Sequence, residues 1–355
     1  MKCPQCVYVN PEGVKFCLNC GNKNLDPNSP TQDSNSLFYE FAHYVDMVPR
    51  FERSVEPKFR NIFSRVFKNH SILEAERLFI VGTALTTPKI DEVKETWPKP
   101  WLFARIFIFA LIAYFGLFLG VSVFKNINFL PGLIIVGSFA VPITALTFFW
   151  EMNAPQNVAI YRIVYVVFIG GILSMLVALV FFNILKHNIN PITIGIVEEF
   201  AKIGTVIFFV RNLKYKFVLN GLLLGAAVGA GFAAFETAGY ALRALLSGSY
   251  RGLYSTLLWR SFLAPGGHIA WAALTGAAFC GVQKDNKFDI NMVIKLKFLR
   301  IFFIVVLMHA LWDSPIPAIF PFGQIMLMVA SWILVFRMIR IGLKEIAEKK
   351  GRLTI

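Results

Sequence analysis

Four apolar stretches of this chain carry ionisable side chains at depths where a membrane helix would carry none. They are 192–210 with Glu198, Glu199 and Lys202; 217–241 with Glu236; 257–280 with His268; and 298–312 with His309, Asp313 following directly. A charge near the centre of a bilayer costs roughly 2.5–3.5 kcal/mol on insertion scales. About four unpaired charges would cost on the order of 10 kcal/mol, comparable to the stability of a whole domain. Packing requires no such cost, so acids, a base and imidazoles on four apolar helices point to a polar site inside the membrane. Taken singly, each has a plainer reading: Glu198–Lys202 as a neutralising pair, each histidine as a hydrogen-bonded packing residue. Glu236 is harder to explain that way, because no basic partner lies on its own helix.

The elements that must position these groups are helices. Glu198 and Glu199 precede Lys202 by four and three residues, so one face lets the lysine reach either carboxylate. Glu236 shares a face with Tyr240, and His309 with Asp313, at the same spacing of four. By length and hydropathy the chain offers about eight spans: 103–124, 130–150, 159–183, 191–210, 217–241, 257–280, 298–314 and 320–340. The seventh is short and ends against Pro315 and Pro317. Basic residues cluster at 211–216, 284–300 and 344–352. With both termini cytoplasmic, the positive-inside rule puts all three clusters on one side. That orientation brings the polar groups of all four helices to the outer half of the bilayer. Small residues crowd 225–231 and would let neighbouring helices approach closely around them.

The composition agrees with an all-α polytopic membrane protein. Mean hydropathy is +0.61 over 355 residues and only 16% are charged, against roughly 25% in soluble domains. The net charge of +14 lies beside the spans and is not gathered into a nucleic-acid-binding surface. Ahead of the expected membrane domain, 101–342, three segments are distinct. In residues 1–23, Cys3, Cys6, Cys17 and Cys20 form two C-x-x-C pairs ten residues apart, the spacing of a structural zinc ribbon. Such a module needs its metal to fold, and it resembles the small ribbons at the ends of many prokaryotic proteins, where docking or regulation is the expected role. With no cleavable signal peptide ahead of Cys3, Met1 is expected to begin the mature chain in a reducing compartment. Residues 24–36 read as a disordered polar linker. Residues 37–100 read as a cytoplasmic or interfacial helical segment, with Phe59, Phe63 and Phe67 as a helical stripe and Trp97 and Trp101 as interfacial anchors. A basic cytoplasmic tail, 343–355, closes the chain.

The motif order resembles a family. Glu198-Glu199-Phe-Ala-Lys202 is similar to the EExxK motif of PrsW-type intramembrane proteases. Phe232-Ala-Ala-Phe-Glu236, His268 and His309-Ala-Leu-Trp312-Asp313 resemble the three motifs that follow it, in order, on successive helices. The wider superfamily of CAAX prenyl endopeptidases and bacteriocin-immunity proteases usually has arginine and histidine where this chain has Lys202 and Glu236, a departure that fits the PrsW branch. The resemblance implies an intramembrane endopeptidase of a prokaryotic inner membrane. Its implied substrate is a membrane-anchored protein, such as a single-pass anti-sigma factor cut near the outer side. On that footing Glu199, alternatively Glu198, is the expected base on water, with Lys202 positioning its neighbour. His268 and His309 either bind zinc with Glu236 or donate hydrogen bonds to the tetrahedral intermediate without a metal, and Asp313 orients His309. The absence of H-E-x-x-H inclines the reading to the metal-free version. Two other classes remain: a proton-coupled transporter, which needs a polar path to the inner surface, and a receptor or scaffold signalling through the ribbon, which would tolerate Glu199→Gln.

Overall fold

The computed structural model describes residues 62–353, apart from 84, 95, 187–188, 212 and 320–321. The zinc ribbon, the linker and the start of the segment 37–100 lie outside the described residues.

After a short helix α1 (Ile72–Ile80) come α2 (Leu102–Ser122), α3 (Leu130–Met152) and α4 (Ile160–Leu185), the last with a π turn at Val166–Gly170. Next are α5 (Pro191–Val210), α6 (Val218–Leu246), α7 (Tyr250–Leu263), α8 (His268–Gln283), α9 (Leu296–Asp313) and α10 (Gly323–Leu353). Among the described residues, five segments are long and apolar enough to cross a membrane: 102–122, 127–152, 160–185, 218–246 and 323–351. The fourth expected span is present as α5, its apolar run interrupted by the three charges that matter here. The seventh is the 18-residue α9. The last helix continues through the basic tail as far as Leu353.

The sixth expected span is not one helix. Between α7 and α8 the chain makes a single 3-10 turn, Ala264–Gly266, and Gly267 leaves the helical region altogether. Pro265 has no N–H to donate. At Gly266 a β-carbon would stand 2.6 Å from Met328 Cα, so the break is also where α10 comes closest. The consequence is that His268 is the first residue of a helix, not a mid-span residue.

Beyond this break α6 and α8 run antiparallel in backbone contact. Gly221 faces Gly276, Gly225 faces Ala272 and Gly229 faces His268, and a β-carbon on any of the three would collide with the opposing carbonyl. Gly195 of α5 meets the Val306 carbonyl of α9 in the same way, at 3.0 Å. At the far end of α6 from the site, Asn220 is fully buried and bonded to Asn153 and Asn157, which satisfies polar groups that would otherwise be stranded there.

Residues 62–100 pack on the start of the bundle. His70 stacks on Trp101 at 3.9 Å, Arg105 donates to the Lys68 carbonyl, and Phe79 meets Trp150 edge-on. Two expectations fail in this region. The helix carrying Phe63 has ended before Phe67, which projects into the surroundings at 89% exposure. Trp97 and Trp101 are buried against protein, not lipid, because Phe336 and His70 cover them.

Candidate active site

A helix tilts its side chains toward its own N-terminus, and that direction decides what can meet in this bundle. Here α6 and α9 run toward the end where α5 begins, whereas α5 and α8 run away from it. Glu236 and His309 therefore lean back into the bundle while Glu198 and His268 lean up toward them. All seven residues expected at the site come together.

Lys202 is the hub. Its ammonium is fully buried, 2.6 Å from Glu199 Oε1, 3.6 Å from Glu198 Oε2 and 2.8 Å from His268 Nδ1. It also lies 4.5 Å above the Phe232 ring, a cation–π contact that helps to hold it in an apolar setting. Because an ammonium only donates, His268 accepts at Nδ1 and carries its proton on Nε2. That N–H donates to Glu236 Oε2 at 3.0 Å. The same oxygen receives Arg260 of α7 at 2.6 Å. His309 donates from Nδ1 to Glu199 Oε1 at 2.7 Å, which leaves the Nε2 lone pair facing Glu198 Oε2 at 3.6 Å and Asp313 Oδ2 at 3.3 Å.

Asp313 thus approaches the nitrogen turned to Glu198, and it is Glu199 that fixes the orientation of the His309 ring. Glu199 is wholly enclosed, bridging Lys202 and His309. Both glutamates leave Oε2 buried with no hydrogen-bond partner; Glu198 differs in that it also lines a cavity between α4 and α6.

Glu198, His268 and His309 bring one donor atom each to within 4.8 Å of one another. This donor set fits a zinc-type ion. Two imidazole nitrogens and a carboxylate oxygen converge, and Glu198 Oε2 has no hydrogen-bond partner. The His309 lone pair and two carboxylate oxygens face one another, an arrangement that asks for positive charge between them. Counted as ionised, four carboxylates (Glu198, Glu199, Glu236, Asp313) meet two permanent cations, Lys202 and Arg260, so a divalent ion would balance the cluster. Glu236 is not in this set. It binds the nitrogen of His268 on the opposite side of the ring, the position of an outer carboxylate that orients a ligand histidine.

Two residues were missed by the sequence. Arg260 supplies the partner that Glu236 lacks on its own helix, and it also stacks on Tyr240 at 4.3 Å. Its place at the mouth of an apolar run was the available signal. Trp271, fully buried, lies 5.5 Å from the His268 ring and 4.6 Å from that of His309, and its Nε1 donates to Ser331. It stands three residues after His268 on the same face, and packing alone reveals its role.

A family model described as PrsW family intramembrane metalloprotease matches residues 161–339, the stretch from α4 to α10 that contains every residue of this cluster. No curated protein and no solved structure matches the chain.

Proposed function

Because the chain belongs to the PrsW family of intramembrane proteases, we propose that it hydrolyses a peptide bond of a membrane-anchored protein at the Glu198–His268–His309 cluster. The observation that carries this reading is the position of Glu198, which meets two imidazoles and lines a cavity that Glu199 does not line. Glu198 takes the proton of the attacking water, in preference to Glu199, whose Oε1 already serves Lys202 and His309. Glu198, His268 Nδ1 and His309 Nε2 would hold a zinc-type ion once Lys202 turns from Nδ1, whose lone pair it now engages, and the ion supplies carbonyl polarisation and a more acidic water when bound. The carboxylate has two oxygens, one for an ion and one for a proton.

The remaining residues orient. Glu199 holds His309 through Nδ1, Glu236 holds His268 through Nε2, and Arg260 holds Glu236. Lys202 pairs with Glu199 at 2.6 Å, so its charge is offset in a dry setting. Asp313, 3.3 Å from His309 Nε2, adds a second carboxylate beside the donor set. The substrate is a single-pass protein such as an anti-sigma factor, cut near the outer side of a prokaryotic inner membrane. The eight-span arrangement with cytoplasmic termini supports that side of cleavage, since it turns the cluster outward. A relay for transport is disfavoured, because the glycine ladder of α6 and α8 closes the bundle beyond the cluster.

The test is quantitative proteomics of membrane and shed fractions from cells carrying wild type or Glu198→Gln at equal expression. A single-pass protein that stays uncut only in the variant supports the reading. An unchanged set of cleaved proteins, in a condition where loss of the gene has a phenotype, overturns it.

A further inference from the structure

Where α4 crosses α6, Gly171 and Gly231 bring the two backbones together. A β-carbon on Gly171 would lie 2.7 Å from Gly231 Cα, and one on Gly231 would strike the Val167 carbonyl. The π turn of α4 ends immediately before this contact, at Gly170, and such turns recur at functional sites. The helices run parallel, and directly beyond the contact a cavity of about 510 Å³ opens between them. Its α4 wall is Met175, Leu176, Leu179 and Phe182; its α6 wall is Phe232 and Phe235. Both Glu198 and Glu236 reach into it. Leu176 and Leu179 are 53% and 57% exposed on a helix apolar enough to span a membrane, so the mouth of the cavity faces lipid.

A soluble substrate or a free ion would gain nothing from such walls. Apolar surface continuous with two carboxylates suits a chain that is itself in the bilayer and must bring a backbone carbonyl to a polar centre. The volume limits its form. One helical turn, about 10 Å across and 5.4 Å high, fills roughly 400 Å³, so the cavity holds about one turn's worth of chain and not a packed span. A carbonyl within an intact helix is already hydrogen-bonded and shielded by its side chains.

We propose that the cleft between α4 and α6 is the lateral entry for substrate, taking a locally unwound, apolar segment of a membrane span from the lipid. The seated segment puts its apolar side chains against Met175, Leu179 and Phe235 and its backbone against Glu198. This rests on the protease reading for what happens next, but the binding step can be measured without turnover.

The experiment uses full-length Glu198→Gln protein in liposomes, with the photo-crosslinking residue p-benzoylphenylalanine at Leu179, at Ile172 or, as a lipid-facing control, at Ile112 of α2. The probes are two Lys-flanked Leu/Ala span peptides. One is continuous, and the other has a Pro-Gly break at the depth of Glu198. The expected result is crosslinking of the broken peptide about tenfold above Ile112 at both cleft positions, a preference of about 1.4 kcal/mol, with the continuous peptide lower. Equal yields at Leu179, Ile172 and Ile112, or equal yields for the two peptides, overturn the proposal. All three positions are exposed, so the probes do not crowd the core. If the proteomics finds no protein spared by Glu198→Gln while the cleft preference persists, the protease reading falls and the cleft stands. If cleavage depends on Glu198 but no cleft preference exists, the reverse holds.

Discussion

Along α6, first against α8 and then past its start, two regions follow opposite rules. From Gly221 to Gly229 the interface is specified by missing side chains, with backbones in contact and no room for water. From Phe232 to Glu236 the surroundings of α6 are specified by long side chains, and Lys202 of α5, His268 of α8 and Arg260 of α7 fill the space around the carboxylate. The difference shows how a polar cluster is held in a membrane. Apolar side chains give no preference for helix over lipid, so close packing of small residues supplies the association, and that rigid half fixes the spacing at which the polar half meets.

The strongest way to sharpen the comparison is to disable the polar half alone. Glu198→Gln should lower proteolysis by about 10²–10⁴-fold, measured as turnover of the substrate found by proteomics, with the melting temperature unchanged. Disabling the rigid half should do the reverse. Gly225→Ala forces a β-carbon into the Ala272 carbonyl and should destabilise the fold by about 1–3 kcal/mol, read by thermal unfolding in detergent, with activity falling only as folded protein is lost.

Metal content separates the two regions again. The His268→Ala/His309→Ala protein should hold one zinc fewer per chain than wild type by elemental analysis, whereas Gly225→Ala should hold the same amount per folded chain. A smaller effect is expected at Arg260, which acts on Glu236 from outside the donor set. Arg260→Lys keeps the charge but not the planar fork. It should weaken turnover about tenfold, with no loss of zinc.

The smallest effect lies outside the membrane, where Asp285 ties two lysines from different segments, Lys216 and Lys349. The Lys216 hydrogen bond, with help from Lys349, holds the Asp285 carboxyl below its ordinary value of 3.8. A depressed carboxylate contributes stability that is present above its unfolded pKa and lost as pH falls through the lower folded value. Asp285→Asn should therefore cost at most about 0.2–1 kcal/mol at neutral pH, and the difference from wild type should vanish in acid unfolding.

Much of this was legible in the chain. The interrupted apolar runs named Glu198, Glu199, Lys202, Glu236, His268, His309 and Asp313, because a charge in lipid has few explanations, and spacings of four and three paired Lys202 with Glu198 and Glu199. The small residues of α6 announced a close contact. What periodicity does not carry is which atom faces which. Glu199, alternatively Glu198, was the expected base; Glu199 is enclosed by Lys202 and His309, and Glu198 one residue earlier lines the cleft. A 100° step around one helix separates those roles, and only the positions of α4 and α9 give each direction a meaning. In the same way Pro265 and the glycines after it mark a weak point in the sixth apolar run, but hydropathy averages over it. Whether such a run bends, breaks or stays straight depends on the approach of Met328 from α10.

The sequence alone determined the class of molecule and the inventory of its chemistry, because hydropathy and the cost of buried charge are properties of residues. The tertiary structure decided the arrangement: which carboxylates line the cleft, which imidazole nitrogen is turned to Glu198, and that Arg260 belongs to the cluster. Those are properties of directions and distances between helices far apart in the chain, and no local pattern encodes them.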